Sequence, residues 1–331
     1  MKIGFITCAA EKLSYYFPTL AEPHFIPIEP PFTPDDQIAV NALRKIGYEV
    51  KPVVWNSPID SLQEFDLLIV RSPWDYMDND ENKSLFMQWI NALEEAGLRV
   101  ANPAHFMRWL LDKHYLKHLS EEGIAVIPTQ YYEKGSSLNL LKHFEKQGQL
   151  IVKPCVSAAG IGLYHIKTAA DAIQYQAEIS ARMQTCSYML QDFIQEITSH
   201  GEWSLIFMGG KYSHALHKKP GPNSILVHAE KGGSISFSCQ PKQNMIDFAE
   251  TIYQKVFFAF KKAMQIECDP HSVLYLRLDI IETNRGPVLI ECEGVEPELF
   301  FRAKPKSEII FCKAIATIIL REVGDITKNL K

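Results

Sequence analysis

Residues Leu274 to Glu293 constrain this chain more than any other stretch, because their spacing permits the arithmetic of a β-hairpin. Leu276, Leu278 and Ile280 alternate with Tyr275, Arg277 and Asp279, the period of two that sends neighbours to opposite faces of a sheet. Asn284-Arg285-Gly286 suits a three-residue turn with Gly in the left-handed position. A turn centred on Arg285 sets Asp279 against Glu291 and Arg277 against Glu293 on one face, with Val288, Ile290 and Cys292 joining the leucines on the other. Three carboxylates around one Arg repel one another unless a cation joins them. A hard divalent ion such as Mg²⁺, sharing its coordination with phosphate oxygens, supplies that cation. A solvated hairpin holding an ion pair is the other reading.

The rest of the pattern is α/β. Lys2–Thr7, Tyr48–Trp55, Phe65–Val70 and Arg99–Ala101 read as strands. Between them lie a helix opened by Thr33-Pro34 and stopped by Gly47, and another over Glu81–Ala96 stopped by Gly97. Such alternation predicts a parallel sheet with crossover helices. A Pro-rich segment, Pro18 to Pro34, leaves the carboxyl end of the first strand, where open α/β sheets place ligands and where a plain surface loop also fits. Beyond it we expect one helix over His105–Glu122, a strand at Ile124–Ile127, and a strand at Leu150–Pro154 that ends in the small-residue turn Ser157–Gly162. Leu163–Ile166, Ser187–Phe193, Glu202–Met208, Lys211–Leu216 and Ser234–Ser238 read as strands, and Ala169–Arg182, Met245–Met264 and Glu308–Arg321 as helices.

At 331 residues the chain has room for two or three packed units, and a formal charge of −5 without a basic stripe argues against a nucleic-acid partner. The seven cysteines are scattered with no C-x-x-C pair, which suits reduced thiols in a cytoplasmic setting. No apolar run is long enough to predict a membrane span. Lys153, at the end of an apolar strand, could reach nucleotide phosphates while the following turn covers them with backbone N–H groups, although the order of a Walker loop is absent. His214 and His217 lie on opposite faces of a strand and offer no zinc site.

Taken in order, these pieces resemble the ATP-grasp superfamily in its glutathione-synthetase-like branch. The matching residues are Asp112-Lys113, Ile151-Val152-Lys153-Pro154 with Ser157–Gly162, and Gln191-Asp192-Phe193-Ile194; Gly201-Glu202-Trp203-Ser204, Tyr212–Ala215 with Lys218, Arg277-Leu278-Asp279 and Glu291-Cys292-Glu293 complete the set. Arg71-Ser72-Pro73-Trp74-Asp75-Tyr76 is similar to a loop of the narrower group that includes the cycloserine-forming ATP-grasp ligase.

The resemblance implies an ATP-grasp fold: a Rossmann-like parallel-sheet domain over 1–104, a lid over 105–187 and a metal-bearing lobe over 188–331, the last two α+β and enclosing ATP. It implies an ATP- and Mg²⁺-dependent ligase, with Mn²⁺ able to substitute, that joins a carboxylate to an amine through an acyl phosphate. The substrate would be small and amino-acid-like, with an intramolecular reaction as one form. A ligase acting on a protein or peptide terminus, or a nucleotide binder without turnover, are the alternatives, and a homo-oligomer stays open. On this resemblance Lys113 and Lys153 hold phosphates, with Ser157 and Gly160 in the covering loop. The backbone of Gln191, Asp192, Phe193 and Ile194 reads adenine, and Glu196 or Glu202 takes the ribose. Asp279, Glu291 and Glu293 hold metal, and Arg277 and Lys218 steady the transferring phosphoryl group. Arg71, Ser72, Asp75 and Tyr76 face the substrate, Arg71 and Asp75 being candidates for its carboxylate and amine. Two positions depart from the family: Glu293 stands where Asn is usual, and Leu226 where the narrower group carries Arg.

Overall fold

The computed structural model of the chain describes residues 1–16, 32–222, 224–227 and 232–329, so most of the Pro-rich segment lies outside the described residues. Four parallel strands, β1 (Lys2–Thr7), β2 (Glu49–Val54), β3 (Leu67–Ser72) and β4 (Val100–Ala101), form a first sheet in the order β2-β1-β3-β4. A short helix, α1 (Ala10–Tyr16), follows β1 where the sequence suggested only loop. Helix α2 (Pro34–Lys45) starts as expected: the Thr33 side chain accepts from the Asp36 N–H at 2.9 Å and Pro34 occupies the first turn. α3 (Ile59–Leu62) and α4 (Asp80–Glu95) complete this unit.

The single helix expected over His105–Glu122 is two, α5 (Ala104–Leu111) and α6 (Tyr115–Glu121). The break has a local cause. The Asp112 carboxylate accepts from the His114 N–H at 3.1 Å and meets its ring Nδ1 at 2.6 Å, a side-chain competition that helices do not survive well. The freed Lys113 N–H then donates to the carbonyl of Cys155, 2.9 Å away in the second sheet. That sheet has β5 (Thr129–Tyr132), β6 (Leu150–Pro154), β7 (Tyr164–Ile166) and β8 (Tyr188–Asp192) in the antiparallel order β5-β8-β6-β7. Helices α7 (Leu140–Gln147) and α8 (Ala169–Arg182) pack on it, and α9 (Glu196–Ser199) follows. The strand expected at Ile124–Ile127 is not a ladder strand: Val126 makes one isolated bridge to Leu289, and pairing begins at Thr129.

The third sheet joins β9 (Glu202–Met208), β10 (Lys211–Lys219), β11 (Ser234–Ser236), β12 (Tyr275–Thr283) and β13 (Gly286–Glu293) in the order β11-β10-β9-β12-β13. Alternation assigns its faces. Leu205, Phe207, Leu276, Leu278 and Ile280 pack into the core that holds helix α10 (Gln243–Met264), while Ile206, Met208, Leu216 and Tyr275 pack with the first sheet and helix α11 (Ser307–Asn329). The second face is covered only at one end. At its other end stand Glu202, Ser204, Lys218, Arg277 and Asp279. Asn102, fully buried where the first sheet ends, clamps this arrangement through Nδ2 to the carbonyls of Tyr275 and Gly294, at 2.9 and 2.7 Å.

The hairpin keeps the expected pairs Arg277–Glu293 and Asp279–Glu291 but reaches them differently. The turn is one residue shorter, Thr283 pairing with Gly286, and a bulge between Asp279 and Ile280 leaves Ile290 as the extra residue. Leu289 therefore joins Ile280 in the core, and Ile290 lines the cleft instead of the apolar face assigned to it from the sequence.

Among the described residues no helix is long and apolar enough to cross a membrane. His214 is buried on β10 with Nε2 3.0 Å from the Leu299 carbonyl, and burial holds its ring down at about 4, below the ordinary 6.5. As pH falls from about 6.5 towards about 4 the unfolded chain takes up a proton that the folded chain refuses, so His214 withdraws stability across that window and no further below it. Urea midpoints measured from pH 7 to pH 4 should fall less steeply for His214→Asn than for the unmodified chain; parallel curves would contradict the assignment.

Candidate active site

A cleft of about 190 Å³, partly open to solvent, separates the second sheet from the uncovered end of the third. Of the residues singled out from the sequence, Tyr76, Lys113, Lys153, Ser157, Gly160, Gln191, Asp192, Phe193, Ile194, Glu202, Lys218, Arg277, Asp279, Glu291 and Glu293 line it. Glu196, Arg71, Ser72 and Asp75 do not. Glu296 also lines the cleft, and sequence reading passed over it; it stands three residues beyond Glu293, out of step with the two-residue spacing of Glu291 and Glu293, so the period of the strand gave no signal for it.

The charged wall is built on β12 and β13. Arg277 grips Asp279 through Nε and Nη2, at 3.1 and 2.9 Å, and closes on Glu293 through the same Nη2. Asp279 also accepts from the Ser204 hydroxyl and faces Lys218 Nζ at 3.7 Å, while Lys218 pairs with Glu202 at 3.1 Å. Lys113, delivered by the break between α5 and α6, reaches Glu291 at 2.8 Å.

These partners set the titration. Burial would raise the Asp279 carboxyl, but Arg277 and Lys218 outweigh it and hold the group down at about 2. Burial likewise opposes ionisation of Glu291, and the charges of Lys113 and Lys153 override it. Glu293 gets less relief: burial, helped by Asp279 and Glu291, pushes it up to about 8 despite Arg277. The coordinating oxygens of Asp279, Glu291 and Glu293 lie within 4.8 Å of one another. An all-oxygen, carboxylate-rich group with one member short of positive charge fits a hard divalent cation. A second group, Asp112, His114 and Cys155, satisfies the same distance, but its Asp112 and His114 are tied up with each other in the hydrogen bonds of the helix break.

Opposite this wall, Lys153 is 8 % exposed and has neither a carboxylate nor a hydrogen-bond partner among the described residues. Burial lowers its pKa more than distant Glu291 restores it. The turn beside it has Ala159, Gly160 and Gly162 at positive φ. A Cβ on Gly162 would sit 3.0 Å from the Pro154 ring, so glycine is needed there on two counts. Lys113 Nζ donates to the Ser157 carbonyl and so ties this turn to the opposite wall. Along β8, Gln191 donates to Thr129 Oγ1 at 2.9 Å, and the Phe193 ring lies 4.2 Å from that of His165. Glu202 is occupied by Lys218.

The end of β3 and the turn after it do something else. Arg71 is 2 % exposed; its Nε meets Asp36 at 2.9 Å, its Nη2 donates to the Pro297 carbonyl at 2.9 Å, and the guanidinium lies 4.8 Å from the Tyr275 ring centre. Ser72 bonds Thr7, and Asp75 accepts from Trp55 Nε1 at 2.6 Å. Tyr76 alone of the four reaches the cleft, with its hydroxyl 2.5 Å from Glu296.

Two family models match the chain: the N-terminal domain of D-cycloserine synthetase DcsG over residues 3–102, and the ATP-grasp domain of prokaryotic glutathione synthetase over residues 126–255. The cycloserine biosynthesis protein DcsG of Streptomyces lavendulae is 28% identical over 295 residues, covering 84% of this chain and 91% of the relative. Glutathione synthetase of Parasynechococcus marenigrum (strain WH8102) is 23% identical over 203 residues, 61% of this chain and 59% of the relative. Among solved structures, D-cycloserine synthetase DcsG superposes with a TM-score of 0.73 at 20% identity over 96% of this chain and 99% of that one. D-alanine–D-alanine ligase from Bacillus anthracis complexed with ATP superposes with a TM-score of 0.60 at 15% identity, over 99% of both chains.

Removing Arg71 strands Asp36 as a buried, unpaired charge, which costs about 3–5 kcal/mol. Arg71→Met should lower stability by that order in urea unfolding, and the double variant Arg71→Met/Asp36→Asn should recover part of it. Equal losses in the single and double variants would show that the pair is not what holds Arg71 in place.

Proposed function

We infer, from the membership of this chain in the ATP-grasp ligases, that it activates the carboxylate of a small amino-acid-like substrate with ATP and Mg²⁺ and joins it to an amine. The carboxylate oxygen attacks the γ-phosphorus, the bond to the bridging oxygen breaks and ADP leaves, giving an acyl phosphate. An amine then attacks the acyl carbon, phosphate departs with the C–O bond electrons, and the nitrogen loses a proton to give the amide. Where one substrate carries both groups the reaction closes a ring.

The observation that carries this reading is the pairing state of the cleft: a buried lysine with no anion, Lys153, faces three clustered carboxylates that lack enough positive charge. A metal-bound polyphosphate answers both needs at once. On this reading Lys153 and Lys113 meet phosphate oxygens, the turn at Ser157–Gly160 covers them, and Asp279, Glu291 and Glu293 hold the metal. Mg²⁺ would neutralise charge developing on the phosphate oxygens. Arg277, already locked to Asp279, presents a fixed charge to the transferring group, with Lys218 beside it. Fixed donors act without reorganisation at the moment of reaction. The backbone of Gln191–Ile194 would read adenine; with Glu202 held by Lys218, the ribose would fall to Glu196, which lies between the cleft-lining residues Ile194 and Ile197 in sequence. We divide the chain into a substrate-side unit (1–104), a lid (105–187) and a metal-bearing lobe (188–331), and place the enzyme in the cytoplasm with the ATP supply.

ADP release should require Mg²⁺ and a small amino acid, and hydroxylamine should trap the acyl phosphate as a hydroxamate. Asp279→Asn, which removes one fixed charge from the site, should lower kcat by about 10²–10³. ADP formed without any small acid, or amide formed from a substrate that yields no hydroxamate, would overturn the reading.

A further inference from the structure

Counting charge partners around the cleft leaves three groups over: Lys153, Glu296, and Asp192, which ends β8 in the segment assigned to adenine. Lys113 has Glu291, Lys218 has Glu202, and Arg277 has Asp279 and Glu293. Lys153 has no anion and Glu296 no cation among the described residues; the Glu296 carboxylate has only the Tyr76 hydroxyl. Lys153 suits a phosphate. Glu296 is the complementary vacancy, and it stands on the wall nearest the first sheet.

That carboxylate is held with unusual care. The carbonyls of three successive residues are gripped from the first sheet and β12: Val295 by the Tyr275 hydroxyl at 2.9 Å, Glu296 by Trp74 Nε1 at 3.1 Å, and Pro297 by Arg71 Nη2 at 2.9 Å. Tyr76 is 3 % exposed and its ring stacks on Phe86 with centroids 4.3 Å apart, so its hydroxyl has little room to move. The β3 loop thus fixes both the backbone and one oxygen of Glu296, leaving its remaining lone pairs for a ligand.

We infer that Glu296, positioned by Tyr76, binds the ammonium group of the amino-acid-like substrate. A primary ammonium brings three donors and one positive charge, which meets the unpaired carboxylate directly, and charge-assisted bonds of this kind are among the stronger ones. Burial raises the Glu296 carboxyl, and no cation pairs with it directly to reverse the effect; a bound ammonium would. This ammonium is a recognition handle and keeps its proton, so it is distinct from the amine that attacks the acyl phosphate. The inference rests on the ligase reading only in taking the cleft to be the substrate site.

The test uses thermal shift of the full chain with AMP-PNP and Mg²⁺. D-alanine, L-alanine, D-serine and L-serine are each compared with the matching hydroxy acid, lactate or glycerate. At least one amino acid should raise the melting temperature of the loaded protein where its hydroxy acid does not. Glu296→Gln should weaken that amino acid at least tenfold while leaving the AMP-PNP shift intact, Glu296→Asp should recover part, and Tyr76→Phe should weaken it about threefold. If Glu296→Gln does not fold, the aspartate and phenylalanine variants decide. No discrimination between amino and hydroxy acids by the unmodified chain, or undiminished affinity in the variants, would overturn the subsite. Loss of the AMP-PNP shift in the unmodified chain would instead strike at the ligase reading, so the two failures are distinguishable.

Discussion

A guanidinium set between two carboxylates on a buried sheet face is the interaction on which the cleft depends. Arg277, Asp279 and Glu293 would each cost several kcal/mol to bury alone. They coexist because β12 and β13 hold them in a register that puts Arg277 against both acids. Ser204 and Lys218, from β9 and β10, add their donors to Asp279. Three strands therefore supply partners to one carboxylate, and the alternation that places these polar groups on one face places Leu276, Leu278 and Ile280 in the core on the other.

Lys113 is where the two sheets meet chemically. Its N–H is anchored to the second sheet at Cys155, and its Nζ spans to Glu291 on the third and to the Ser157 carbonyl in the turn. An anion entering beside Lys153 would compete with both contacts of Nζ. The turn would then be released from one wall and offered new partners, a way for ligand to alter the approach of the two sheets without moving any strand.

Much of this was legible in the sequence, unevenly and for identifiable reasons. The period of two revealed that Arg277, Asp279, Glu291 and Glu293 share a face, because it depends only on burial of the leucines. The shorter turn and the bulge at Ile290 stayed hidden: Val288, Leu289 and Ile290 are all apolar, so a one-residue slip leaves no trace in the pattern. The break at Asp112 was masked in the same way, since Phe106, Trp109 and Leu110 run on at helical spacing into Leu116 and Leu119. What ends the helix is the Asp112 side chain accepting from the backbone two residues on and a carbonyl supplied by Cys155, 42 residues downstream of Lys113. Arg71 illustrates the remaining gap. An arginine ending a buried strand suggests a ligand, and only the packing of α2 against the sheet shows that its anion is Asp36.

The charge of the cleft can be carried one step further. Whole-chain charge is −5, yet four cations and six carboxylates line this one space. Leu226 contributes an apolar wall with Ile225 and Val227, so among the described residues no compensating cation comes from that side. A metal-bound nucleotide would answer Lys153 and the three metal-facing acids but would leave Glu296, outside that cluster, without a cation. The surplus negative charge then has to be met by the other ligand, and it is located away from the metal-facing acids, at the segment that the first sheet grips through Arg71, Trp74 and Tyr76. A ligand bearing only a carboxylate would add to the surplus, whereas one bearing an ammonium as well would offset it where it stands. The electrostatics of the wall therefore favour a zwitterion over a simple acid, and do so through the residue that makes the first sheet part of the site.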